Sequence, residues 1–357
     1  MKNTNRFNNN IAKCLILVLV FFFCTLVYAA GPESPVTLYS AGLYNDGGIY
    51  KPCYWQDQER TELSVPEGSE YGIARGIIVA IDGTVFTAGH YMDKESLAKP
   101  CYWQDTKRTD LPIPAKEGFA YAIAVTANKT VFIAGFYLDG TATACYWQGT
   151  KRTDLPVPAD AESSAAYSIT VTPRGKFYSS GFYNDKDGKS IPCYWAGTKR
   201  TDLSVPSDSE GAVAYSVIVA ADGTVYSAGY SFKDNLAKPC YWQDSKRTDL
   251  PVPDKSISSY AVAIKVKENN TVYTAGYHYA DNTWTPCYWQ GTTRTDLPIP
   301  EGFVDGFAIS ISAENQTVYT AGVVDNTICY WESNIRNDII DRGEDTVQIC
   351  SIYIIIN

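Results

Sequence analysis

Residues 100–114 read "PCYWQDTKRTDLPIP", and near copies of this stretch recur along the whole chain. The Cys-Tyr-Trp triplets begin at Cys53, Cys101, Cys145, Cys193, Cys240, Cys287 and Cys329. First to last, they span 276 residues over six intervals, an average of 46. That period is too long for one coil of a β-helix. It matches the ~40–50 residues of a four-stranded propeller blade.

Working outward from one copy gives four strands. From Ala214, "AYSVIVA" reads as strand a, with Asp222-Gly223 as a two-residue turn, and "TVYSAGY" as strand b. After a loop of variable length comes "PCYWQ" as strand c, and then "RTDLPVP" as strand d, which proline ends. The chain from Val36 opens on a b strand, "VTLYSAGLY", and the sequence ends on an a-like strand, "VQICSIYIII". Pairing the two would complete a first blade and leave no open sheet edge. The expectation is an all-β, seven-bladed β-propeller of four-stranded blades, closed by its C-terminal strand. Residues 30–357 would form this single domain.

Composition agrees. The chain has 27 Tyr and 13 Phe but 2 Met, and Gly and Pro punctuate it throughout. Residues 1–29 read as a secretory signal peptide: Lys2, Arg6 and Lys13 precede the apolar run Cys14–Val27, with cleavage near Ala29. A lipid anchor at Cys24 is disfavoured by Phe22 and Phe23. Losing the leader takes basic residues from 30 to 27 against 39 acidic ones, so the formal charge moves from −9 to −12. This argues against nucleic acid as a partner. No second apolar run is long enough to span a membrane. A monomer that is secreted, periplasmic or on the cell surface is expected.

Cys and Trp of each triplet are two apart and share a sheet face, with Tyr on the other. Both faces of a blade pack, so these residues read as filling between blades. The repeated Gly after strand b, such as Gly135, is expected to accept a neighbouring aromatic ring. Arg five residues after each Trp, followed two later by Asp or Glu, reads as a ladder of rim ion pairs. Equivalent cysteines would lie about 15 Å apart, too far for disulfides, so they read as free and buried. Cys350 could pair locally. With two His and no close Cys pair, no metal or other cofactor is expected.

Sevenfold repetition cannot build one asymmetric site, so residues that break the pattern are the candidates. Those following strand b sit on the face of the long b–c and d–a loops: Tyr44, His90, Tyr91, Tyr137, Tyr183, Tyr230, Phe232, Tyr277, His278, Tyr279 and Trp284. Aromatics with His suit sugars, peptides or cationic groups, though strand-end aromatics also serve packing. No nucleophile elbow, zinc-protease helix or phosphate loop is present, so no catalytic residue is assigned.

The strings "CYWQGTKRTDLPVP" (145–158) and "AAYSITVTPRGKFYSSGFY" (165–183) resemble two bacterial repeat patterns. One is the HAF-type extracellular repeat, and the other the SBBP and NHL type. The resemblance covers nearly all of residues 36–357. It implies a secreted bacterial propeller and carries no catalytic residue. The expected function is a non-catalytic module binding a glycan, peptide or protein ligand. The alternatives are a structural envelope protein, or an exported propeller hydrolase or lyase.

Overall fold

The computed structural model describes residues 36–314, 316–325, 327–341 and 347–356. The proposed leader and its cleavage site lie outside the described residues. The remainder is all-β, with 28 strands and, among the described residues, no helix long and apolar enough to cross a membrane.

Hydrogen bonding groups the strands into six sheets. Five have four antiparallel strands, and the sixth has eight, because a single parallel pair, Ser190 with Gly211, joins two four-stranded units. One unit shows the plan: a is Gly72–Val79, b is Val85–Met92, c is Ala98–Gln104 and d is Lys107–Asp110. The final strand, Val347–Ile356, pairs antiparallel with the first, Val36–Asp46, from Val36↔Ile356 to Tyr44↔Val347. That is the partner expected from the sequence.

The tryptophans hold neighbouring sheets together. Trp103, Trp147, Trp195, Trp242, Trp289 and Trp331 are fully buried. Each indole N–H donates to a carbonyl just past strand d of the preceding four-stranded unit: Ser64, Pro112, Pro156, Ser204, Pro251 and Pro298, at 2.7–3.1 Å. The Leu one residue earlier packs beneath the same ring, as Leu111 does with Trp147. The stretch "RTDLP" is therefore the docking edge for the next tryptophan. A buried indole N–H would otherwise lose a hydrogen bond worth about 1 kcal/mol or more.

Two local expectations change. Five of the a–b turns have three residues rather than two: Ala80 N–H donates to the Thr84 carbonyl, and Gly83, at φ 84°, ends the loop, whereas Glu314 pairs directly with Thr317 as a two-residue turn requires. A type I turn followed by a left-handed residue needs positive φ only at its last position. Lys129 and Asn270 take that place elsewhere, both at φ 62°. The repeated Gly of strand b also differs. A Cβ on Gly135 would lie 2.0 Å from the Phe119 carbonyl oxygen, while the Trp147 ring is 3.1 Å away. The close neighbour is backbone of strand a, with the aromatic ring second.

None of the eight cysteines in the described residues forms a disulfide. Seven are buried, and Cys350 is half-buried.

Candidate binding site

The glycine contact has a structural cause. Every a strand carries a β-bulge opposite the repeated glycine, and one residue drops out of register there. The extra residues are Arg75, Tyr121, Tyr167, Tyr215, Val262, Ile309 and Cys350. Two residues before each, a carbonyl turns toward the glycine, at 1.8–2.0 Å from where a Cβ would stand: Ile73, Phe119, Ala165, Val213, Tyr260, Phe307 and Gln348. Bulges re-aim side chains. Here all seven re-aimed residues border one cavity of about 210 Å³. Arg75, Tyr215, Val262, Ile309 and Cys350 also border an adjoining cavity of about 220 Å³, together with Tyr277.

The cavity wall is aromatic on one side. Rings touch in a run from Tyr71 through His90, Phe119, Phe136 and Tyr121 to Tyr167, with centroids 4.9–6.1 Å apart. Tyr167 then meets Phe182 and Tyr215. A second group joins Tyr230, Tyr260, Tyr277, Trp284 and Phe307. Tyr279 packs against Trp284 with ring centroids 4.8 Å apart and the planes tilted by 44°. Burial raises the hydroxyl pKa of Tyr167, Tyr215, Tyr230 and Tyr277, so all four are neutral at pH 7.

The residues singled out from the sequence divide by their offset from the glycine. His90, Tyr230 and Tyr277 follow it by one and join the aromatic runs, as do Tyr279 and Trp284. Tyr44, Tyr91, Tyr137, Tyr183 and His278 follow it by two, and are buried on the opposite face. They are tied to the Arg-x-Asp/Glu ladder. Arg60, Arg108, Arg152 and Arg200 lie over the rings of Tyr44, Tyr91, Tyr137 and Tyr183 at 3.7–5.0 Å. The Tyr44, Tyr137 and Tyr183 hydroxyls donate to Glu62, Asp154 and Asp202. His278 Nε2 stands 3.3 Å from Asp296. Phe232 is half-buried by a cavity of about 130 Å³ that opens where Ser231 replaces the tyrosine beside Arg247. The ladder is thus ion-paired at six of its seven places, while Glu62 pairs with Lys51 instead, and it also forms the seat for these rings.

His90 carries the largest electrostatic penalty in the aromatic run. It is 2 % exposed, and its Nδ1 has no partner. Burial, and then the nearby Arg75 charge, push its pKa down to about 3 from 6.5. The unfolded chain takes up a proton below about pH 6.5, whereas the native state refuses it until about pH 3. Stability is therefore lost as pH falls through that window, by about 2–3 kcal/mol at pH 4.5. Phe136 and Phe182 hold the equivalent place in other sheets. His90→Phe should raise the melting temperature at pH 7 and flatten the acid limb between pH 6 and 4. Parallel acid limbs in melts of the two proteins would refute this.

Among the described residues, no group of three or more His, Cys, Asp or Glu side chains could hold a metal ion.

The fold is that of a β-propeller. Similar solved structures include the β-propeller domain of the Trilobed protease from Pyrococcus furiosus, with 12% identity and TM-score 0.52, covering 88% of this chain and 94% of that one. A catalytically inactive virginiamycin B lyase from Staphylococcus aureus, solved with quinupristin, aligns with 14% identity and TM-score 0.52 over 82% of this chain and 97% of that one. No family model and no curated protein matches the sequence. The comparisons thus support the propeller fold, and none of the particular repeat families that the sequence resembles.

Proposed function

We propose that this chain is a secreted or cell-surface, non-catalytic β-propeller that binds a glycan, peptide or protein ligand in the cavity between its inner strands. In this reading residues 1–29 are removed, and residues 30–357 form one monomeric domain. Its seven blades close through the pairing of the last strand with the first. One observation carries the reading: seven bulges deliver the residues that depart most from the repeat into a single cavity. Repeat positions that only fill space need no such device. The aromatic candidates Tyr230, Tyr277, Tyr279 and Trp284 would extend the contact surface beyond the cavity, since Tyr277 borders its second lobe. Tyr215, 40 % exposed, offers the most open ring.

A glycan and peptide array probed with the mature protein tests the proposal. Binding to a defined set of glycans or peptides is expected. An empty array, with self-association on sizing chromatography, would instead favour a structural envelope role.

A further inference from the structure

We propose that Arg75 anchors the carboxylate of a small, ring-bearing acid within the cavity, an inference that rests on the binding function above and narrows its ligand.

Among the described residues, Arg75 is the one charged side chain bordering either lobe of the cavity. It makes no ion pair with any described residue, and its Nε is buried without a partner. Its guanidinium lies over the face of Tyr121, 4.9 Å from the ring centroid. The rest of its surroundings are neutral at pH 7. His90 is uncharged, burial pushes the Cys350 thiol up to about 11, and Tyr71, Tyr167 and Tyr215 keep their protons. A partly buried guanidinium without a counter-ion is costly, and an anion entering the cavity would offset that cost. In a chain of formal charge −9, a lone cation on the inside is also an electrostatic exception.

The chemistry of the wall narrows the anion. One positive charge balances a monoanion, whereas a phosphate dianion would leave a charge uncompensated. A carboxylate presents two oxygens that match the guanidinium fork. The other bulge residues supply flat rings, Tyr121, Tyr167 and Tyr215, facing aliphatic Val262 and Ile309. Such walls accept the face of an aromatic or sugar ring. The ligand class is therefore a carboxylate carried on a single ring, from either an aromatic acid or a sugar acid.

Saturation-transfer NMR titrations with benzoate, glucuronate and benzamide separate these cases, using the mature protein and its Arg75→Met and Arg75→Lys variants. The wild type should bind at least one of the acids about tenfold or more tightly than the neutral benzamide, and which acid binds identifies the source. Arg75→Met should lose about tenfold or more in affinity for that acid, while Arg75→Lys keeps part of it. Because Arg75 has no internal ion pair to lose, both variants should melt within a few degrees of the wild type. The proposal is overturned if benzamide binds as well as the acids, if neither acid binds the wild type, or if Arg75→Met binds the acid undiminished. An array ligand still held by Arg75→Met would leave the binding function standing and remove only the anion.

Discussion

Replacing Gly135 with alanine is expected to cost more than about 4 kcal/mol and to leave little soluble protein. The cause is space, because the φ of Gly135 lies outside the left-handed region. A Cβ there would lie 2.0 Å from the Phe119 carbonyl oxygen, which is backbone and cannot swing aside as a side chain could. Relief requires undoing the bulge at Tyr121. That would shift strand a by one residue and send its buried face outward. Gly140→Ala is the control: that glycine sits in a loop at φ +73° with nothing within 4 Å. It should cost only about 1 kcal/mol, from backbone conformation. Thermal or urea melts of the two variants distinguish the outcomes. Similar losses at both positions would mean that the glycine–bulge contact is not the constraint.

Deleting residues 347–357 is expected to destabilise the whole domain rather than one corner. The final strand pairs with Val36–Tyr44 along its length. Ile352 is buried in one cluster with Val36, Leu38, Tyr319, Ala321, Ile328 and Tyr330. Without it, strand Val36–Asp46 would present an open edge, and that cluster would meet water. A loss on the order of 5 kcal/mol would lower the melting temperature by about 10 °C or more in a domain of this size. A truncated protein that melts like the intact one would contradict both the packing argument and the proposed ring closure.

Much of the architecture is legible in the sequence, because it rests on short-range signals repeated many times. The spacing of the Cys-Tyr-Trp triplets, the alternation within "PCYWQ" and the prolines after strand d each fix strands locally. The pairing of "VQICSIYIII" with "VTLYSAGLY" follows from counting strands without partners. The cavity residues are harder to read. A bulge is one extra residue in a strand, and it leaves "AYSVIVA" looking like an ordinary apolar run. A signal does exist: Ala74, Ala120, Ala166, Ala214, Ala261 and Ala308 recur at one place in strand a, and the residue after each varies from Arg to Tyr to Val to Ile. Variation immediately after a small residue kept in six of the seven strands marks the bulge. The aromatics after strand b were visible, but their separation onto two faces was not. A one-residue offset decides whether a ring joins the aromatic run, as His90 does, or the arginine ladder, as Tyr91 does.

The proposed site lies on the bulge residues, away from the repeated brick. Binding of an array ligand should be compared between wild type, the double variant Tyr167→Ala/Tyr215→Ala, and Tyr183→Phe. The double variant should keep its fold by circular dichroism and lose binding, whereas Tyr183→Phe should bind as the wild type does. Undiminished binding by the folded double variant, or loss in Tyr183→Phe alone, would place the site elsewhere.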